Sequence, residues 1–262
     1  MSDKQQNFEA PVDRDELVSY LDKYLDVDAG PDFCPNGLQV EGTPTIRRLV
    51  TGVSACRELF QRAREQQADA ILVHHGIFWE GDSRIITGIQ RRRVAELIEG
   101  NLNLIAYHLP LDRHPEVGNN AVASQRLGLS RLSPFGDYSG MSLGFSGELE
   151  TPVPIASLLE RCRSVFLQEP LCFPGGPETV STVGLISGGA ESAFRLAIAA
   201  GLDAYITGEP SEWVMNVARE AGTHFIAAGH YATERLGVQT LGEHLTEKFG
   251  LEVCFEEIPN PV

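Results

Sequence analysis

Lysine is nearly missing from this chain of 262 residues: Lys4, Lys23 and Lys248 are the only ones, and arginine supplies the rest of the basic side chains. With Lys+Arg at 21 against 36 acidic residues, the formal net charge is −15. Such a chain repels phosphate backbones, which counts against a sequence-independent grip on nucleic acid, and it is compatible with binding metal cations. Cysteine is sparse and unpatterned. Cys34, Cys56, Cys162, Cys172 and Cys254 are odd in number and widely spaced, with no C-x-x-C, so neither a disulfide framework nor a cysteine zinc site fits. No apolar run approaches the length of a membrane span. The N-terminal MSDKQQNFEAP is polar and acidic and does not read as a signal peptide. Together these absences predict a cytoplasmic protein with reduced thiols. The phosphate-binding patterns G-x-x-x-x-G-K-[ST] and G-x-G-x-x-G are also missing.

What is present is an ordinary globular composition, 42% apolar and 22% charged. The length suits one large domain or two smaller ones. Asp13 is a plausible N-cap for an amphipathic helix carrying Leu17, Val18, Leu21, Tyr24 and Leu25. After a Gly/Pro-rich loop the pattern predicts strand Leu49–Val53, a helix near Ala55–Gln66, strand Ala70–Val73, a helix near Val94–Glu99 and strand Leu102–Tyr107. Arg91-Arg92-Arg93 reads as a solvated helix face. Late in the chain the same grammar returns. It runs strand Thr182–Ile186, helix Ser192–Ala200, strand Ala204–Thr207, helix Ser211–Ala221, strand His224–Ala228, a helix with Leu241, Leu245 and Phe249 on one side, and strand Glu252–Glu257. Strands alternating with helices predict an α/β fold with mostly parallel sheets.

The two stretches also align residue by residue. "ADAILVHHG" (68–76) falls on "LDAYITGEP" (202–210), so Asp69-Ala70 meets Asp203-Ala204 and His75 meets Glu209. "HLPLDR" (108–113) falls on "HYATER" (230–235), pairing His108 with His230, Asp112 with Glu234 and Arg113 with Arg235. The two registers differ by the length of the insertion "GIFWEGDSRIIT" in the first half. We therefore expect an internal duplication: a first α/β half over 1–129, a linker or middle module over 130–180, and a second α/β half over 181–262, the halves related by a pseudo-twofold.

Ligands of open α/β sheets bind beyond the carboxyl ends of the strands. Four of the seven histidines, His74, His75, His108 and His230, fall at such ends, together with Asp112, Glu209 and Glu234. Imidazole nitrogen mixed with carboxylate oxygen suits zinc, iron, manganese, nickel or cobalt. His74, His75, Asp112, His230 and Glu234 exceed what one tetrahedral ion needs, and predict two divalent ions with a shared carboxylate and an acidified water. Adjacent histidines that splay apart could each serve a different ion. His108 reads as an outer-sphere orienter or a proton shuttle, and Glu209 as either an outer-sphere group or a salt-bridge partner. His114, His224 and His244 read as surface or structural. "LISGGAES" (185–192) reads as a tight turn, with an anion cradle as its alternative.

The landmarks "NGLQVEG" (36–42), "ADAILVHHGIFW" (68–79), "AYHLPLD" (106–112), "LISGGAES", "DAYITGE" (203–209) and "GHYATE" (229–234) resemble, in order, the GTP cyclohydrolase I type 2 homologues, a family of hexameric dinuclear-metal proteins. The resemblance spans nearly the whole chain. It implies His74, His75, Asp112, His230 and Glu234 as ligands of two metal ions, with Asp112 and Glu234 bridging, in a toroidal homohexamer. It also implies a metal-dependent hydrolase of a small nucleotide-like or phosphorylated substrate, GTP cyclohydrolysis among the candidates, with no membrane partner. A non-catalytic metal-binding or metal-delivery protein is the alternative.

Overall fold

The computed structural model describes residues 10–262; the polar stretch 1–9, which enters the signal-peptide reading, lies outside the described residues. A short strand β1 (Val12–Asp13) leads into helix α1 (Arg14–Tyr24). Its N-cap is Asp13, whose carboxylate accepts from the backbone N–H groups of Asp15 and Glu16. Next come β2 (Gly37–Val40), β3 (Thr45–Ile46), β4 (Arg48–Ser54), α2 (Arg57–Glu65), β5 (Ala70–His75), α3 (Gly88–Glu99) and β6 (Asn103–Ala106). The chain continues through α4 (Leu109–Arg113), α5 (Asn119–Leu127), β7 (Leu129–Tyr138), β8 (Met141–Pro154), α6 (Ile155–Phe166), β9 (Leu171–Phe173) and β10 (Thr179–Leu185). It closes with α7 (Phe194–Ala199), β11 (Ala204–Thr207), α8 (Val214–Ala221), β12 (His224–Ala227), α9 (His230–Thr233), α10 (Arg235–Phe249) and β13 (Glu252–Phe255).

These elements form two compact units. The first holds the described residues up to His108 together with Val238–Ile258; the second holds Leu109–Gly237 and Pro259–Val262. In the first unit the sheet order is β13-β4-β5-β6-β2, parallel throughout except for β2. β4 and β5 are buried along almost their whole length, as expected of parallel strands covered on both faces. One face packs Val50, Ile71, Val73 and Leu104 against Leu59, Phe60 and Ala63 of α2 and Leu97 of α3. Beyond β6, the buried Tyr107 donates from its hydroxyl to Asp22 Oδ1 at 2.6 Å and so ties α1 to the sheet.

The second unit has the order β7-β8-β10-β11-β12-β9. Only β10, β11 and β12 run parallel; β7 and β8 form a long antiparallel hairpin along one side and β9 is antiparallel on the other. This sheet is mixed, not mostly parallel. One face packs Val183, Ala204, Ile206 and Ile226 against α5 and α6, and the other packs Tyr205 and Phe225 against Phe194 and Ala197 of α7 and Val214 and Ala218 of α8. Segment 130–180 thus supplies β8, α6, β9 and most of β7 to this unit. The last strand, β13, pairs with β4 in the first unit, a partner some 200 residues upstream that no local pattern reveals. Strand β5 also runs past Val73 through both histidines, because its pairing with β4 continues to Ser54 opposite His75.

The aligned aspartates do the same work in both units. Asp69 Oδ2 accepts from the backbone N–H groups of Arg47 and Arg48 at 2.8 and 2.9 Å, at the entry to β4. Asp203 Oδ2 accepts from those of Ser181 and Thr182 at 2.7 and 2.9 Å, in β10. Their carbonyls in turn accept from Asn103 N–H and His224 N–H at the start of the next parallel strand. A mixed α/β fold built from duplicated units is therefore visible in its hydrogen bonds. Asp203→Ala, which strands two partly buried N–H donors, is expected to destabilise by about 1–3 kcal/mol in chemical denaturation, and Asp69→Ala, at a more exposed site, by less. Equal losses would mean that burial does not set the cost.

Candidate metal centre

In the first unit, three parallel strands deliver polar groups to one edge of the sheet: Ser54 ends β4, His74 and His75 end β5, and Tyr107 and His108 follow β6. His74, His75 and His108 each offer a ligand atom, and all three lie within 4.8 Å of one another. The rings of His74 and His75 have centroids only 4.6 Å apart, so the adjacent pair stays close despite the alternation of a strand.

The Nδ1 atom of each histidine is occupied. His74 Nδ1–H donates to the Tyr107 carbonyl at 3.0 Å, which leaves the ring lone pair on Nε2. His75 Nδ1 meets Ser54 Oγ at 3.0 Å, and His108 Nδ1 meets Asp32 Oδ1 at 2.8 Å. Burial works against the charge on Asp32, but the His108 ring, the Asn36 amide and the Cys34 N–H outweigh it and hold the carboxyl below its usual range. Polar partners that fix imidazole tautomer and orientation in this way are typical of histidines that ligate metals.

In the second unit, His230 opens α9 and Glu234 follows one helical turn later, with His230 Nε2 3.2 Å from Glu234 Oε2. His230 Nδ1 is held by Glu209 Oε1, which lies just beyond β11. Burial favours the neutral ring, but Glu234 and then Glu209 outweigh it and raise His230 to about 9. Asp112, buried on α4, has Oδ1 held by the Asn119 amide and the Ser187 hydroxyl, both at 2.9 Å. Asn120 ties the arrangement together, donating to the Asp112 carbonyl and accepting from Ser187 N–H. The carboxylates of Asp112 and Glu234, both buried, offer oxygens within 4.8 Å of each other. Two carboxylates that close in low dielectric call for a cation.

The Gly188-Gly189 turn serves this site through its compactness. A Cβ on Gly188 would stand 2.2 Å from Glu234 Oε1 and 3.2 Å from His230 Nε2. The N–H of Gly188 goes to Thr233 Oγ1 and that of Ala190 to Thr207 Oγ1, so the turn is not an anion cradle. His114, His224 and His244 are structural. His114 Nδ1 receives the N–H groups of Glu116 and Val117, His224 bridges Gly175 N–H and the Pro177 carbonyl, and His244 meets Tyr20 Oη. "GMSLG" (140–144) has the spelling of a nucleophile elbow, but it lies at the tip of the β7–β8 hairpin and not between strand and helix.

Sequence reasoning placed His74, His75, His108, Asp112, Glu209, His230 and Glu234 at strand ends, and it missed Asp32, Ser54, Asn119, Asn120 and Ser187. Asp32 had one visible signal, the Asx-type pattern D-x-C-x-N in a Gly/Pro-rich loop, where its Oδ1 accepts from Cys34 N–H.

Fold and donor set define a mixed α/β protein whose histidines and carboxylates are arranged to hold a metal ion. The chain belongs to the Duf34/NIF3 (NGG1p interacting factor 3) family, whose model matches residues 12–261. It is 45% identical over 245 residues to a Pseudomonas aeruginosa protein named GTP cyclohydrolase 1 type 2 homolog, covering 94% of this chain and 97% of that one. An Escherichia coli protein of the same name is 43% identical over 250 residues, covering 94% and 98%. Among solved structures, one described as protein ybgI of unknown function superposes with a TM-score of 0.91 at 42% identity, over 96% of this chain and 100% of that one. TTHA1606 from Thermus thermophilus gives 0.87 at 40% identity, with the same coverage.

A proton on His230 must leave before its Nε2 can take a metal. Metal affinity is therefore expected to rise with pH by about tenfold per unit up to about 9 and to level off above, measured by competition with a chromogenic chelator. An affinity flat across that range would show that His230 releases no proton. Gly188→Ala should fold yet lose metal in elemental analysis. Gly201→Ala, with a similar positive φ of 67° and nothing within 4 Å, should keep it and cost only about 1 kcal/mol of stability.

Proposed function

We propose that this chain is a metal-dependent hydrolase that holds two divalent ions, drawn from zinc, iron, manganese, nickel or cobalt, through His74, His75, Asp112, His230 and Glu234. The observation that carries the reading is, in the first unit, the fixing of His74 Nδ1 by the Tyr107 carbonyl and, in the second, the fixing of His230 Nδ1 by Glu209 next to two buried carboxylates within 4.8 Å of each other. Bound ions would supply an acidified water and polarise the bond to be cut. Around them, Glu209 orients His230. His108, backed by Asp32, would serve as the proton shuttle.

The substrate is a small nucleotide-like or phosphorylated molecule. In a chain of net charge −15, its phosphates would be held by the ions themselves or by local arginines. The names of the relatives make GTP the first substrate to assay. We further propose a cytoplasmic homohexamer. Ile85, Ile86 and Ile89, all more than half exposed, provide apolar surface that self-assembly would cover.

The test is elemental analysis of purified protein, followed by a metabolite-extract screen comparing the wild type with His75→Ala, and by turnover of whatever substrate emerges, GTP included. His74→Ala and Asp112→Ala should abolish turnover while the oligomer survives, and Glu209→Gln should lose about 10–100-fold in metal affinity or rate. Full turnover by metal-free variants overturns the reading. So does a metal-loaded wild type that exchanges its ions readily and forms no product, which would identify a metal-delivery protein instead.

A further inference from the structure

Two aromatic side chains stand beside the histidine trio. Phe33 belongs to the loop between α1 and β2, and Trp79 to the segment that follows β5. Glu80 N–H donates to the Phe33 carbonyl at 2.8 Å, so the two loops are laced together by backbone and the rings are set side by side. Their centroids lie 6.2 Å apart with the planes tilted by 32°. Each meets His108 nearly edge-on, Phe33 at 5.0 Å and 65°, Trp79 at 5.1 Å and 83°. Trp79 also stands 5.7 Å from His75. The result is an aromatic wall that abuts the imidazoles.

Neither ring is buried as a core residue would be. Phe33 is 37% exposed and Trp79 is partly so, with the acidic residues Asp32, Glu80 and Asp82 close by in sequence. The apolar cluster that joins β4, β5 and β6 to α2 and α3 buries other side chains; neither Phe33 nor Trp79 is part of it. Ring faces of this kind attract two classes of ligand: organic cations and flat π systems. Next to imidazoles that hold a divalent ion, a cation is repelled. A planar heteroaromatic ring is not, and its nitrogens can meet His108.

We propose that Phe33 and Trp79 are substrate-positioning residues, which stack a planar heteroaromatic ring of nucleobase type beside His108. This rests on the metal-centre reading above and names the part of the substrate that lies next to it. Stacking on an aromatic side chain tolerates any base, because every base has a π face, so the wall sets class and orientation and leaves the choice among bases to other groups.

The chain has two tryptophans, Trp79 and Trp213. A Trp213→Phe protein, loaded with zinc and checked for full metal content, leaves Trp79 as the only indole reporter. Titration with guanosine, adenosine and cytidine should quench its fluorescence in a saturable way for at least one nucleoside, while ribose 5-phosphate leaves it unchanged. Adding Phe33→Leu should weaken that binding by about tenfold at unchanged zinc content, and Trp79→Leu should do the same by equilibrium dialysis with labelled nucleoside. The leucines keep an apolar cover and remove only the π face, so a purely structural role would leave binding intact. Nucleosides that fail to quench fully metal-loaded protein, or leucine variants that bind as tightly as the parent, overturn the proposal while leaving the metal centre standing. Loss of zinc from the parent protein itself would instead count against the metal centre.

Discussion

The buried carboxylates of Asp112 and Glu234 are what the second unit has to accommodate. Their oxygens come within 4.8 Å where water cannot screen them, and such a pair persists only if positive charge or hydrogen-bond donors meet it. Donors from three places do so: the amide of Asn119 on α5, the hydroxyl of Ser187 after β10, and the ring of His230 on α9. The demand explains local choices that packing alone does not. Gly188 is the residue where a Cβ would strike Glu234, and Asn120 is buried to fasten Asp112 and Ser187 by their backbones. The carboxylate of Glu234, and then that of Glu209, also hold His230 above the usual imidazole range.

In the first unit the corresponding demand falls on the imidazoles, and parallel topology meets it. Strands that all point one way end at one edge, so β4, β5 and β6 bring Ser54, both adjacent histidines and Tyr107 together without any long excursion of the chain. Each ring then finds its Nδ1 partner on a neighbouring strand or loop. His74 uses a backbone carbonyl, which cannot rotate away or change protonation state, and it is the most deeply buried of the set. His108 uses a carboxylate that is itself held by Asn36 and by Cys34 N–H. A backbone carbonyl and an ionised carboxylate are both partners that fix the tautomer and orientation of an imidazole.

Much of this was legible in the residues. Period and element order gave the parallel segments, and the alignment of Asp69 with Asp203 anticipated a shared hydrogen-bonding role that depends only on an aspartate standing before a parallel strand. Histidines and carboxylates at strand ends led to the donors, because that placement is rare by chance. Most supporting groups were not legible, since they are remote from their targets in sequence: Ser54 from His75, Ser187 from Asp112, and Asp32 from His108, whatever its local Asx pattern shows. Strand β7, and with it the pairing of the β7–β8 hairpin, escaped for another reason. The strands of that hairpin are exposed on much of their surface and carry bulges at their pairing, so the alternation that marks a half-buried strand is blurred.

The duplication also shows what a repeated scaffold leaves open. His75 and Glu209 occupy aligned positions at the ends of β5 and β11, yet one stands among three imidazoles and the other grips the Nδ1 of an imidazole. His108 and His230 are aligned too, and each is paired with a carboxylate at Nδ1, but the carboxylates come from unrelated places: Asp32 from a loop before the sheet, Glu209 from the end of the neighbouring strand. The same carboxylate-to-backbone role thus survives at Asp69 and Asp203, where only strand entry is at stake, while the edge that carries the histidines and carboxylates has diverged. Divergence there is what gives two related units different donors, one rich in imidazole and one rich in carboxylate. Imidazole nitrogen and carboxylate oxygen are both metal donors, so the two edges differ in the proportion of each and not in the kind of chemistry they offer.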